Sequence, residues 1–560
     1  MMDLVAFEHD PSFVLEALRQ GELDYLETVS EAAEAGLFRH LISRQVLDRL
    51  AEPYPSPRQR EDVPVWLYVA SEISLKLHGA AAYHAYPLVL RSGGLISALG
   101  PKVGRKAVHP ETGDVSLACP GFNRKHTFDR QTPCDQDFLR KFARDTDAGR
   151  LHHWFNREVP RCLRSLKLFD PEGLFIGDGS YLFVPDNPNY EGSDKLLFDE
   201  NDHPVDPKQV DPKDKRYQWR RCYKLVSLIH IHRSLDLFLT VAARVTGGRP
   251  HECPILYELV DEFVRAVGRG WMKVLILDRG LLDGAAIGRL KREHGIDTVI
   301  PLKTNMDAYQ DVMGLTRLKD FGWEPYQAPP ARSRDQKDPV GSGLRRPKPP
   351  VILQRELKRQ QTLATRKGLP APAPPAQPQT LLGIARGVSS WSDCPAPLTV
   401  VVNREIDRDG QVDHWLLATT CSWWSAAQTR STYALRPAIE ERHRQYKCFW
   451  DIPRMHSRRF SLVVNQVLFV LLSYTLMQAH LYLRRRQELN RSTRARALGM
   501  LGPTVEVVAV YYRQRFCLLL LPELAEILLE LQEAARDRLL KKMRQLKRDV
   551  YHLLENARPP

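Results

Sequence analysis

The chain has 560 residues, with 81 Lys and Arg against 67 Asp and Glu, a net charge of +14. Its 43% apolar and 26% charged residues exclude a wholly disordered or fibrous protein, and the length suits about three or four domain-sized units. The basic excess favours a polyanionic partner and says nothing of fold.

Nine cysteines are scattered singly, with no Cys-x-x-Cys pair, which fits a reducing compartment and offers no zinc signature. The first eleven residues carry Asp3, Glu8 and Asp10 and lack a basic segment leading into an apolar run, so no signal peptide is expected. Residues 1–165 read as mainly helical, with amphipathic stretches at 13–50 and 65–90 and another from about 135 to 168. At Asp170-Pro171-Glu172-Gly173 the texture changes to short apolar runs of strand type, at 173–178, 181–184, 223–232, 235–245, 273–278 and 297–303. Helical patterns at 253–267 and 282–294 separate the later ones. Strands first adjacent and then alternating with helices predict an α/β layer with a mixed sheet.

Residues 326–380 are rich in proline and lack periodicity, the composition of a linker or extended arm. Strand-like sequence resumes at 398–406, turns at Asp407-Arg408-Asp409-Gly410 and returns at 412–420, a hairpin signalled by the Asp-Gly step. From about Tyr433 the chain reads as helical to its end. Residues 461–483 approach membrane-spanning length, yet Asn465, Gln466, Ser473, Gln478 and His480 interrupt them. Such groups are expensive in hydrocarbon, so a buried core helix is expected and no membrane partner.

Chemistry concentrates in carboxylates. Asp178 and Asp278 each follow a predicted buried strand, and each has a glycine within two residues, Gly179 and Gly280. Ligands bind at that end of α/β strands, although an Asp there is often only a turn or cap residue. A third acid lies on a helix in which Arg436, Glu440 and Lys447 share a face, with Tyr433 close by. In isolation such a helix is more often a solvated salt-bridge ladder. Three converging carboxylates cannot all stay ionised without a cation. Two Mg²⁺ ions about 3.5–4 Å apart would resolve the repulsion and activate a water or a 3′-hydroxyl for attack on a phosphodiester.

On these residues the chain resembles the DDE-class transposases of bacterial insertion sequences, the branch with a Tyr-Arg-Glu-Lys signature. That signature reads Tyr433, two residues, Arg436, three residues, Glu440, six residues, Lys447. The first acid stands in Ile176-Gly177-Asp178-Gly179-Ser180, the second in Asp278-Arg279-Gly280. The resemblance covers about residues 170–482. It implies an α/β fold, with a ribonuclease-H-like mixed-sheet catalytic core interrupted by a β-rich insertion and mainly helical terminal regions. The implied domains are a helical DNA-end-binding region at 1–165 and catalytic core at 166–310 and 426–482. The insertion, with the basic linker 326–380 and the hairpin 398–420, takes 311–425, and a helical, dimerising region takes 483–560. Asp178, Asp278 and Glu440 would be the catalytic, metal-binding triad for two Mg²⁺, with Mn²⁺ a substitute. Tyr433, Arg436 and Lys447 would bind the transposon end. Expected partners are double-stranded DNA, both ends and target, and a second copy in a synaptic homodimer; expected localisation is cytoplasmic, with the nucleoid.

Two features depart from the family pattern. Pro437 directly follows Arg436, so the helix begins or kinks there. The 162 residues from Asp278 to Glu440 exceed a minimal core. The alternatives are a catalytically inactive transposase-derived DNA-binding protein and a ribonuclease-H-like nuclease without strand transfer. The absence of a Gly-x-x-x-x-Gly-Lys-Ser/Thr loop gives no support to a nucleotide cofactor. His230 and His232 alternate along one strand and are expected to be structural rather than metal ligands. Trp391, Trp415, Trp423 and Trp424 lie in the insertion, where relatives can stack an aromatic on a flipped base; for any single one, packing is the expected role. The basic excess is local: +8 over 326–380, +5 over 484–496 and +4 over 436–459.

Overall fold

The computed structural model describes residues 4–99, 104–108, 115–118, 136–327 and 379–556, short interruptions within these spans excepted. The chain is mixed α/β and divides into two compact units, residues 1–273 with 438–560, and residues 274–437. The strands that matter for the site are, in chain order, β1 (Leu174–Val184), β2 (Asp194–Phe198), β3 (Gln218–Ile231), β4 (Phe238–Gly247), β5 (Val274–Ile276), β6 (Asp297–Pro301), β7 (Gln379–Val388), β8 (Leu398–Ile406) and β9 (Val412–Thr419). The helices are α1 (Ala148–Ser165), α2 (Glu252–Val267), α3 (Gly284–Arg289), α4 (Ala426–Tyr433), α5 (Pro437–Cys448) and α6 (Phe460–Leu483).

In the first unit the long, apolar β3 is central. β1 lies along one edge in unbroken antiparallel register from Leu174↔Ile231 to Val184↔Arg221. The other edge takes β4 and β2, both antiparallel. The outer edge of β4 is covered by helices whose side chains accept its free N–H groups. Thr475 Oγ1 accepts from Thr240 (3.2 Å), Asn156 Oδ1 from Ala243 (2.8 Å) and His152 Nε2 from Val245 (3.0 Å). An edge treated this way offers no template for further strand pairing.

β1 corrects one expectation. Asp178 does not close a strand; it lies within one that runs on to Val184. The glycines on either side of Asp178 answer to a close helix. A Cβ at Gly177 would lie 2.5 Å from Leu256 Cδ2, and one at Gly179 3.3 Å from Glu252 Cβ, both on α2. Glycine inside a strand marks such close approaches as readily as a break.

α6 is the apolar helix of membrane-spanning length, with mean hydropathy 1.8, and 89% of that stretch is buried inside the protein. Two of its polar groups, Asn465 and Gln466, have partners. The Tyr68 hydroxyl donates to Asn465 Oδ1 (3.0 Å), and Gln466 Nε2 donates to the carbonyls of Ile452 (3.3 Å) and Arg454 (3.1 Å). It is a core helix, as its composition led us to expect.

The chain ends hold helices but also a sheet that the helical reading of the terminal regions did not include. Tyr25–Glu31 pairs with Val505–Tyr512, which pairs with Arg515–Leu519, which in turn takes Glu8–His9 in parallel. Val14, Leu18, Val508, Val510, Leu524 and Leu539 share one core beneath this sheet. The alternation in Val505-Glu506-Val507 and the β-branched run after it favour strand, but their partner lies more than 470 residues away.

The second unit carries a mixed sheet. β5 and β6 are parallel, β9 is antiparallel to β6, and β8 and β7 follow antiparallel. The β8–β9 hairpin forms where the Asp-Gly step predicts it; Asp407 N–H donates to the Gln411 carbonyl (3.0 Å) and Gly410 adopts φ +78°. α3 packs closely on 393–395: a Cβ at Gly288 would lie 2.5 Å from Pro395 Cδ. The 326–380 stretch, save its first and last two residues, lies outside the described residues.

Candidate active site

Asp178 stands directly opposite Ser227 in the β1–β3 register. Opposed residues of an antiparallel pair project to the same face. Gly177 and Gly179 face α2, so Asp178 and Ser227 project to the other side. α5 meets that side, where His443 Nε2 lies 2.9 Å from Ser227 Oγ. Glu440, His443 and Lys447 share a helix face. Lys447 is half-buried; burial pushes its ammonium below the usual lysine range, while Asp202 and Asp178 act in the opposite sense.

The two adjacent glutamates have different fates. Burial disfavours ionisation of Glu441, but hydrogen bonds from Arg444 (2.7 Å to each oxygen) and Gln445 (3.0 Å) outweigh it and hold the acid below the ordinary range. Glu440 is exposed. α5 begins at Pro437, where the missing N–H is no loss. It is anchored by the Tyr446 and Thr240 hydroxyls (2.7 Å), by Arg442 Nη1 donating to the Tyr474 hydroxyl (3.0 Å) and by that hydroxyl donating to Gln445 Oε1 (3.0 Å). Arg442 is only 1% exposed, with its guanidinium 4.0 Å from the Phe238 ring centre.

In the second unit Asp278 stands two residues beyond β5, past the end of its apolar run. The Leu277 N–H donates to the Val299 carbonyl (3.0 Å) and the Leu281 N–H to the Asp278 carbonyl (3.0 Å), which fixes this turn. Arg436, in the turn between α4 and α5, places Nη2 3.0 Å from Asp278 Oδ2. Tyr433 ends α4, which starts with a capping box formed by Ser425 and Gln428. Its ring centre lies 5.9 Å from that of Trp415, whose Nε1–H donates to Glu405 Oε1 (3.0 Å) beneath the Arg430 guanidinium. Trp415 is therefore tied into the sheet. Trp424 is half-buried, and Trp423 is 69% exposed with Lys291 Nζ 5.1 Å from its ring centre.

His230 is structural. Its Nδ1 bonds the Leu174 carbonyl (3.1 Å), its Nε2 accepts from the Asp170 N–H (2.8 Å), and burial pushes its pKa down to about 3. His232 Nδ1 lies 2.7 Å from Asp170 Oδ2. Among the described residues no three His, Cys, Asp or Glu side chains gather closely enough to hold a metal by themselves. Ser227, Arg442 and Tyr446 were missed from sequence, since nothing local distinguishes a bonded serine or arginine from a solvated one. His443 had one available clue, its spacing of three from Glu440.

The family model of the transposase DDE domain matches residues 191–476, just over half of the chain. The match takes in Asp278, Tyr433, Arg436, Glu440 and Lys447 and begins thirteen residues after Asp178. No curated protein matches the chain.

Proposed function

We propose, from the premise that this chain belongs to the transposases with a DDE domain, that it binds the inverted-repeat ends of an insertion sequence, cuts them and joins the freed 3′-hydroxyls to target DNA. The observation that carries this reading is the signature helix. Glu440 and Lys447 share a face of α5, and Lys447 lies within electrostatic reach of Asp178. The proposed core is ribonuclease-H-like, and Asp178, Asp278 and Glu440 are its triad.

The donor set suits the metal such chemistry uses. All three groups are carboxylates, and Mg²⁺ (or Mn²⁺) takes oxygen donors, needing only one or two from protein when water and phosphate oxygens complete its shell. A metal held there would supply activation of a water or 3′-hydroxyl and neutralisation of charge at the phosphate. The remaining work falls to the chain's own side chains. Lys447 presents a desolvated ammonium to the phosphate beside the cut, where a low dielectric strengthens its attraction. Arg436 offers a planar fork to Asp278 and, when DNA is bound, to a backbone phosphate. Trp423 presents its ring to a base. A homodimer holds the two ends together.

The test incubates the protein with DNA carrying the inverted repeats that flank its coding region, plus Mg²⁺. The wild type should cut and join; Asp178→Asn and Glu440→Gln should bind the ends and leave them intact. Binding without cutting by the wild type would leave a DNA-binding protein, and cutting without joined products would leave a nuclease.

A further inference from the structure

We infer that Ser227 and His443 are positioning residues: their buried hydrogen bond fixes β3, the strand paired with the one bearing Asp178, against the helix bearing Glu440. The inference rests on the proposed roles of those two carboxylates. Ser227 is fully buried and His443 is 5% exposed, so DNA touches neither of them. Ser227 is the residue opposite Asp178, and His443 is one helical turn from Glu440 on the same face. A contact of 2.9 Å between them therefore ties α5 to β3 at the residue opposite Asp178 and one helical turn from Glu440. The other anchors of α5 described above, through Tyr446 and Arg442, lead to Thr240 of β4, which pairs with Ile229 of β3, and to Tyr474 of α6; the Ser227 contact meets β3 at the residue opposite Asp178 itself.

The residue types support the same reading. From Cys222 to Ile231, β3 is a buried and largely apolar run, and a hydroxyl in such surroundings is unfavourable unless bonded. The neighbours of position 227 in β3, Val226 and Leu228, are apolar and buried, so packing alone does not call for serine. A hydrogen bond shielded from water holds its two partners to a narrower geometry than apolar packing does. Carboxylates that bind metal ions tolerate little displacement: losing a supporting group typically lowers activity 10–100-fold.

The test is single-turnover cleavage of end DNA by the full chain, with end affinity and urea midpoint measured in parallel. Ser227→Ala and His443→Ala should each slow cleavage about 10–100-fold, with end affinity within about twofold of wild type. The double variant should be no slower than the slower single, since one shared contact is lost once. His443→Gln, whose amide reaches the same hydroxyl, should stay within about threefold of wild type. Ser227→Cys carries the same expectation as Ser227→Ala should the alanine variant melt below assay temperature. Wild-type cleavage rates in the serine variants, losses that multiply in the double variant, or a His443→Gln as slow as His443→Ala would each overturn the inference. A wild type that cuts nothing would instead remove the transposase reading beneath it.

Discussion

Acid should unfold the first unit through histidines that the fold requires neutral. His152 Nε2 accepts the Val245 N–H of the edge strand β4, and His230 Nε2 accepts the Asp170 N–H at the entrance to β1. Protonating either nitrogen would set two donors face to face. Burial, aided by Arg244, pushes the pKa of His152 down to about 4; burial, aided by His232, pushes that of His230 down to about 3. The unfolded chain takes up these protons near 6.5, so native stability is full above that value and is lost as pH falls through the window from 6.5 toward 4 and 3. At pH 5 the unfolded histidines are almost wholly protonated and the native ones are not, so each costs about 2 kcal/mol relative to pH 7.5, about 4 kcal/mol together. His480, pushed down to about 4 by burial and by Arg484, acts with the same sign. Urea melts at pH 7.5 and 5 measure the loss. His152→Gln keeps an acceptor for Val245 without titrating, and should reduce the loss by about 2 kcal/mol. Equal or greater stability at pH 5, or an unchanged loss in the variant, would refute the reasoning.

Three further outcomes follow from particular residues. Arg513 and Gln514 turn the hairpin between Val505–Tyr512 and Arg515–Leu519 at φ +46° and +63°; replacing them by Asn-Gly should raise stability by about 1 kcal/mol in a urea melt. Trp423→Ala should leave stability within about 0.5 kcal/mol while weakening end binding, whereas Trp415→Ala, which removes the hydrogen bond to Glu405 and the ring beneath Arg430, should destabilise by about 2 kcal/mol. Replacing the 11 Lys and Arg of 326–380 by Gln should weaken DNA binding and flatten its dependence on salt; an unchanged slope would make that segment a linker only.

Much of the architecture was legible because its signals are local. The Asp-Gly step marks the β8–β9 turn, the apolar runs mark β3, β4 and β6, and Pro437 marks the start of α5. The interrupted apolar stretch at 460–483 is a core helix: 89% of its apolar window is buried inside the protein, and Asn465 and Gln466 find bonds there. What escaped the sequence depends on distant partners. Strand character at 25–31 and 505–519 becomes visible only when the two chain ends meet. The glycines flanking Asp178 signal a break or a close neighbour with equal force, and only the position of α2 decides. The same holds at the candidate site. The carboxylates and the signature were legible from spacing, but the engagement of Arg436 with Asp278 and of His443 with Ser227 was not.

The most direct measurement is strand transfer by the full chain: labelled element-end DNA, a supercoiled target plasmid and Mg²⁺, with joined products counted for the wild type and for Asp178→Asn, Asp278→Asn and Glu440→Gln. The account predicts joined products from the wild type alone, with all four proteins binding the ends. Joined products from any of the three variants at the wild-type level would contradict it.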